Sequence, residues 1–132
     1  MARPLSRFPT EMELQILKIL WRGGPLSVRE VRDALADDAG RDLAHTTVVT
    51  TLNTMTSKRY VKRRQEGKSY VFEARIAEGQ VSRGMLADLV DRVFDGSAVS
   101  LLLNLIESER IDAEEYETLR RIIAQKAKGQ EP

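Results

Sequence analysis

The sequence predicts a mainly α-helical protein with one small β-hairpin, arranged as three helices, the hairpin, then three more helices. Three observations carry that expectation. Apolar residues recur at three- and four-residue spacing through most of the 132-residue chain. Residues 60–72 break that spacing with Tyr60-Val61, a basic run, a reversal at Gly67 and then Ser69-Tyr70-Val71-Phe72. Capping boxes, in which a hydroxyl or carboxylate residue is followed three positions later by Glu, stand at Thr10/Glu13, Ser27/Glu30 and Asp112/Glu115 and mark helix starts.

With 42% hydrophobic and 31% charged residues, the composition is that of a globular protein, sized for one ordinary domain or a small domain with an appended element. There is no cysteine, which excludes disulfides, thiolate metal sites and cysteine nucleophiles and fits a reducing compartment. Apolar runs fall far short of the roughly twenty residues that cross a bilayer, and MARPLSRFP lacks a signal-peptide core. A soluble, cytoplasmic protein is expected, with no membrane insertion and no cofactor.

In chain order, residues 1–9 begin as a loose basic arm with Arg3 and Arg7 among Pro4 and Pro9. A first helix runs from the Thr10 cap to about Arg22, with Leu14, Leu17 and Trp21 on one stripe and Ile16, Ile19 and Leu20 adjacent, until Gly23-Gly24-Pro25 stops it. The second opens at Ser27. It presents Val28, Val31 and Leu35 as a narrow apolar stripe, turns Arg29, Arg32 and Asp33 outward, and ends at Asp37, Asp38 and Gly40. A third, of about sixteen residues from Leu43 onward, has two unlike faces. Val48, Leu52 and Met55 form an apolar stripe with His45 beside it, whereas Thr46, Thr50, Asn53 and Ser57 lie opposite, flanked by Thr47 and Thr54.

Threonines at 46, 47, 50, 51 and 54 are a poor choice for an ordinary solvated helix face, because β-branching lowers helix propensity and Lys, Glu or Arg would serve better. They suit a different task. A threonine hydroxyl can bond a base edge, its methyl can meet a thymine methyl, and its shortness lets a helix approach a groove floor. The hairpin strengthens the reading. Residues 44–75 hold seven basic residues against Glu66 and Glu73, a net +5; since the whole chain is +1, the remainder carries −4. Positive charge thus sits beside the uncharged face, as phosphate anchoring beside groove reading requires.

Three helices with a short turn between the second and third, then a β-ribbon, is the order of a winged helix-turn-helix, whose third helix enters the major groove while the wing lies along the backbone. The partner expected is double-stranded DNA. The residues expected to touch it are Arg7, His45, Thr46, Thr47, Thr50, Thr51, Asn53 and Thr54, with Lys62, Arg63, Arg64 and Lys68 of the wing. His45, the single histidine, has only Asp42 as a nearby carboxylate, and the glycines form no phosphate-cradling loop, so no catalytic constellation is present and an enzyme is not expected.

The division expected is a winged-helix DNA-binding domain over 1–75 and a helical dimerisation region over 76–132. Past Ala77 the chain turns amphipathic. Gln80 to Phe94 offers Val81, Met85, Leu86, Leu89, Val90, Val93 and Phe94 before Asp95-Gly96 ends the helix; Ser97 to Glu107 is apolar nearly all round; and the helix capped at Asp112 presents Tyr116, Leu119, Ile122 and Ile123 before a polar tail from Lys126. So much apolar surface exceeds what the small module needs. Its natural cover is the same surface of a second copy, through Leu86, Leu89, Val90, Val93, Leu101, Leu102, Leu105, Ile106, Leu119, Ile122 and Ile123. Folding back on the winged helix is the alternative.

The run from Thr10 to Phe72, with ELQILKILW, SVREVRDAL, AHTTVVTTLNTM and the basic hairpin, resembles the BlaI/MecI family of bacterial repressors, also called the penicillinase repressor family, and the carboxyl-terminal part fits as well. The resemblance implies a winged-helix homodimer on an inverted-repeat operator, repressing antibiotic-resistance or stress genes, often with a membrane sensor protease as partner. It places the groove-contacting helix at Ala44 to Arg59, with Thr46, Thr47 and Thr50 as readers. It also implies a protease cut at an Asn-Phe bond, which corresponds to Asn104-Leu105 here. Departures are the leucine at 105, threonine at 54 where many relatives have a basic residue, Lys58-Arg59 in place of a Lys-Gly pair, and His45 in place of tyrosine or proline. A basic-to-Thr exchange can remove a contact worth roughly 1–3 kcal/mol. Two other functions stay open on the residues: a winged helix used for protein interaction, and a repressor released by a small ligand bound near Tyr70, Ile76 and Val81.

Overall fold

The computed structural model describes residues 8–129; Arg7, expected on a DNA-facing arm, lies outside them. Its elements are α1 (Glu11–Gly23), β1 (Leu26–Ser27), α2 (Val28–Ala39), α3 (His45–Ser57), β2 (Val61–Glu66), β3 (Ser69–Ala74), α4 (Glu78–Val93), α5 (Ala98–Glu107) and α6 (Ala113–Gly129). The chain forms two compact units that part between Met85 and Leu86, inside α4.

The first unit is a winged helix built on three helix starts and one ribbon. The Thr10 hydroxyl accepts from the Glu13 amide at 3.2 Å while the Glu13 carboxylate accepts from the Thr10 amide at 2.9 Å, and Ser27 and Glu30 make the same reciprocal pair at 3.2 and 3.0 Å. Each box satisfies amides that a helix start would otherwise leave without partners. Ile16, Leu17 and Leu20 of α1, Val31 and Leu35 of α2, Val48, Leu52 and Met55 of α3, and Val61 and Phe72 of the ribbon close a single core. Those three α3 residues are the apolar stripe read from the sequence. The inward edge of α1 is displaced from the expected one, because it includes Glu13 and leaves Leu14 and Trp21 half-buried. The Trp21 indole N–H donates to the Ile76 carbonyl at 2.9 Å. Arg32, expected to face outward, is half-buried and donates from Nε to the Leu43 carbonyl at 2.8 Å, tying α2 to the segment that enters α3.

The sheet has one strand more than the sequence suggested. Residues Leu26 and Ser27 pair antiparallel with Phe72 and Val71, giving the order β1-β3-β2. Two residues are too few to show a period, so only the tertiary pairing reveals them as a strand. Between β2 and β3 the turn consists of Gly67 and Lys68, flanked by the Glu66–Ser69 pair. Gly67 takes φ +63, a conformation that glycine reaches without steric cost at the first position of a two-residue hairpin turn. Helix α3 has 13 residues, fewer than anticipated, because Arg59 adopts φ +66 two residues after Ser57 and turns the chain out of the helix.

In the second unit, Asp95 and Gly96 take φ +50 and +82 and end α4 as expected. The Ser97 hydroxyl caps α5 by accepting from the Ser100 amide at 3.0 Å. The Asp112/Glu115 box opens α6, which continues through the anticipated polar tail to Gly129. Leu102, Ile106, Leu119 and Ile123 face a cavity of about 150 Å³ between α5 and α6. No described residue of this unit is buried.

Candidate nucleic-acid interface

The core stripe of α3 fixes what its other side must do. With Val48, Leu52 and Met55 fully buried, the helical period turns Thr46, Thr47, Thr50, Asn53 and Thr54 to solvent, and all five are exposed. Thr51 is different. It is half-buried, and its hydroxyl donates to the Thr47 carbonyl at 2.9 Å and lies 3.6 Å from the Met12 sulfur, which turns it toward α1. His45, anticipated beside the apolar stripe, is the first residue of α3 and is exposed. Ala44 before it supplies no side-chain cap, so the donors of the first turn have no side-chain acceptor from their own N-cap.

Strand register sorts the wing. Successive residues of a strand point to opposite faces, so Val61, Arg63, Phe72 and Tyr70 share the face toward α3 while Lys62, Arg64 and Glu73 share the other. Lys62 Nζ lies 3.4 Å and an Arg64 nitrogen 3.7 Å from the same Glu73 oxygen, and Arg64 also approaches Glu66 at 3.9 Å. Arg63 instead lies over the Tyr70 ring, 4.8 Å from its centroid. Lys68 is exposed at the turn.

Between this face and the helices lies a groove of about 460 Å³ whose walls include Arg29, His45, Asn53, Arg63 and Tyr70. Arg29 was not anticipated there. The pairing of Ser27 with Val71 carries the start of α2 to the wing and Arg29 with it, and a two-residue strand gave no signal from which this could be read. The groove is thus cationic on two sides and uncharged on its α3 floor, the distribution that suits a polyanion whose interior edges are to be read.

Lys58 does not join this surface. Its ammonium is 2.9 Å from the Glu13 carboxylate, with 16% and 4% of the two side chains exposed, and it pins the end of α3 to the start of α1. Burial pushes the neighbouring Tyr60 phenol above its ordinary value, opposed by the Lys58 charge. Among the described residues no group of three or more His, Asp or Glu is placed to hold a metal ion, and no helix is long and apolar enough to cross a membrane.

The apolar residues expected to meet a second copy are open. Leu86, Leu89, Val93, Ile106, Ile122 and Ile123 are exposed, and Val90, Leu101, Leu102, Leu105 and Leu119 are half-buried. Val99, Leu103 and Tyr116 are exposed too and extend the surface; the near-uniform apolarity of α5 hid which side its own unit would cover. Asn104 is exposed in the middle of α5, its amide donating to the Ser100 carbonyl at 2.9 Å.

The family model described as "Penicillinase repressor" matches residues 9–125. A transcriptional regulator BlaI of Mycobacterium tuberculosis is 31% identical over 121 residues, which cover 90% of this chain and 85% of that protein. The methicillin resistance regulatory protein MecI of Mammaliicoccus sciuri is 23% identical over 114 residues, 86% of this chain and 91% of its own. Among solved structures, the hsRosR-S4 complex matches with a TM-score of 0.54 at 19% identity, covering 95% of each chain.

Proposed function

The chain belongs to the penicillinase repressor family, and from that membership we propose that it acts as a homodimer whose two α3 helices read the half-sites of an inverted-repeat operator. It is a DNA-binding transcriptional repressor of the BlaI/MecI type and not an enzyme. The observation that carries the reading is the exposed, uncharged threonine face of α3, carried on the same helix as His45 and Asn53, which border one groove with Arg29 and Arg63. Thr46, Thr47 and Thr50 meet base edges; Asn53, His45 and the wing cations position the protein on the backbone. Thr51, turned toward α1, falls outside the reading set. The genes controlled are of the antibiotic-resistance or stress class.

Dimerisation is supported by the second unit, none of whose described residues is buried. A soluble protein does not usually leave so broad an apolar surface uncovered, and a second copy covers it symmetrically. Two-fold symmetry then sets the half-sites about 10 bp apart or a multiple of that. Relief by a membrane sensor protease cutting Asn104-Leu105 would split α5 and remove the surface that joins the copies. That bond lies within a regular helix, so α5 must unwind before it can be cut.

Release by a small ligand is the weaker reading. Of the three residues expected to border such a site, Ile76 and Val81 line a cavity with Phe8 and Tyr60 of about 200 Å³, below the roughly 300–1,000 Å³ of ordinary small-molecule sites, whereas Tyr70 borders the separate groove beside α3. The deciding experiment is selection of duplexes from a random pool by the purified protein, followed by a salt titration of the winner. An inverted repeat bound with log-linear salt dependence is the expected result. Enrichment of nothing, with a flat salt response, would replace the repressor by a protein-interaction module.

A further inference from the structure

We propose that Tyr70 is a positioning residue that holds the Arg63 guanidinium flat, so that its edge offers a preset fork of N–H donors to DNA beside α3. The inference rests on the DNA-binding reading above and divides the three consecutive wing cations into different roles. Register places Arg63 opposite Phe72, with Tyr70 diagonal to it on the same face. The Arg63 carbon is 4.8 Å from the Tyr70 centroid, and both side chains border the groove that also holds Asn53 and His45.

Stacking engages only the flat face of a guanidinium. All five donors lie in its plane and stay free for a planar pair of acceptors, such as two oxygens of a phosphate or adjacent acceptors on a base edge. Fixing that plane before binding also removes part of the rotamer entropy a long side chain would otherwise lose on contact. Lys62 and Arg64 are differently placed. They leave the opposite face and share Glu73 at 3.4 and 3.7 Å, so they add charge near the backbone without a preset geometry. Lysine can replace a cation of that second kind but not a stacked fork.

The test uses the full chain and the tightest duplex recovered from the random pool. Affinity and salt slope would be measured for Tyr70→Leu, Tyr70→Phe, Arg63→Lys, Arg64→Lys and the double variant Tyr70→Leu/Arg63→Lys, with thermal melts to confirm folding. Arg63→Lys is expected to weaken binding about tenfold and Arg64→Lys less than about twofold. Tyr70→Leu should weaken it about three- to tenfold with the salt slope unchanged, since no charge is removed. Tyr70→Phe should bind as the parent does, and the double variant no more weakly than Arg63→Lys alone. Equal losses for the two lysine variants, a Tyr70→Leu loss that persists in the Arg63→Lys background, or a failure of phenylalanine to restore binding would overturn the proposal. A parent protein that binds no duplex would overturn the DNA reading itself, whereas normal parent binding with an indifferent Tyr70→Leu would remove only this inference.

Discussion

Basic residues close together in the sequence after α3 are used in different ways. Lys58 is spent on Glu13 in a nearly buried pair, whereas Lys62 meets Glu73 with 61% of its side chain exposed. Removing one partner of a buried pair strands the other charge, and Lys58→Ala is expected to cost about 3 kcal/mol of stability, against less than about 1 kcal/mol for Lys62→Ala. Urea denaturation of the two variants checks the contrast; equal costs would place Glu13 in water. Arg59, the next residue, holds φ +66, a region in which an L side chain crowds its own carbonyl. Arg59→Gly should therefore stabilise the fold by about 1 kcal/mol in the same assay. Neither role is visible in the string Lys58-Arg59, which reads only as positive charge; burial and a backbone angle assign them.

At the scale of one helix, α3 has a packing face and an exposed face, and the proposed reading assigns recognition to the second. Val48, Leu52 and Met55 hold it in the core, so the exposed threonines are free of structural duty. Thr50→Ala makes the point testable, because alanine is the better helix former and the fold should lose nothing. Operator affinity should fall about tenfold while affinity for random duplex stays within about twofold, by the size of a single base contact. Matching losses on both duplexes would put Thr50 on the backbone or nowhere. This face was legible because its period is that of a helix and threonines are an uncommon choice for a solvated helix face. Thr51 was misplaced for the converse reason: it sits at the boundary of the two faces, and only the position of Met12 decides that its hydroxyl turns toward α1.

On the scale of the whole chain, charge and apolar surface are segregated. Residues 1–85 carry a net +5 and residues 86–132 a net −4, so attraction to a polyanion belongs to the first unit, and in the proposed homodimer the acidic second unit joins the copies. Leu103, exposed on α5, tests that division: a glutamate there is tolerated by a lone copy but not between two. Leu103→Glu should turn a dimer into a monomer by light scattering with its helical content unchanged, and should weaken operator binding far more than random-duplex binding. A dimer that persists would place the interface elsewhere on the unit.

Helix starts, the core stripe of α3, the basic hairpin and the family were all written in local pattern, because capping, periodicity and turn chemistry act over three to seven neighbouring residues. The third strand, the presence of Arg29 in the groove and the burial of Lys58 against Glu13 were not. Each depends on a partner far along the chain, Val71 for Ser27 and Glu13 for Lys58, and a side chain's chemistry does not name the distant residue that packing will bring to it.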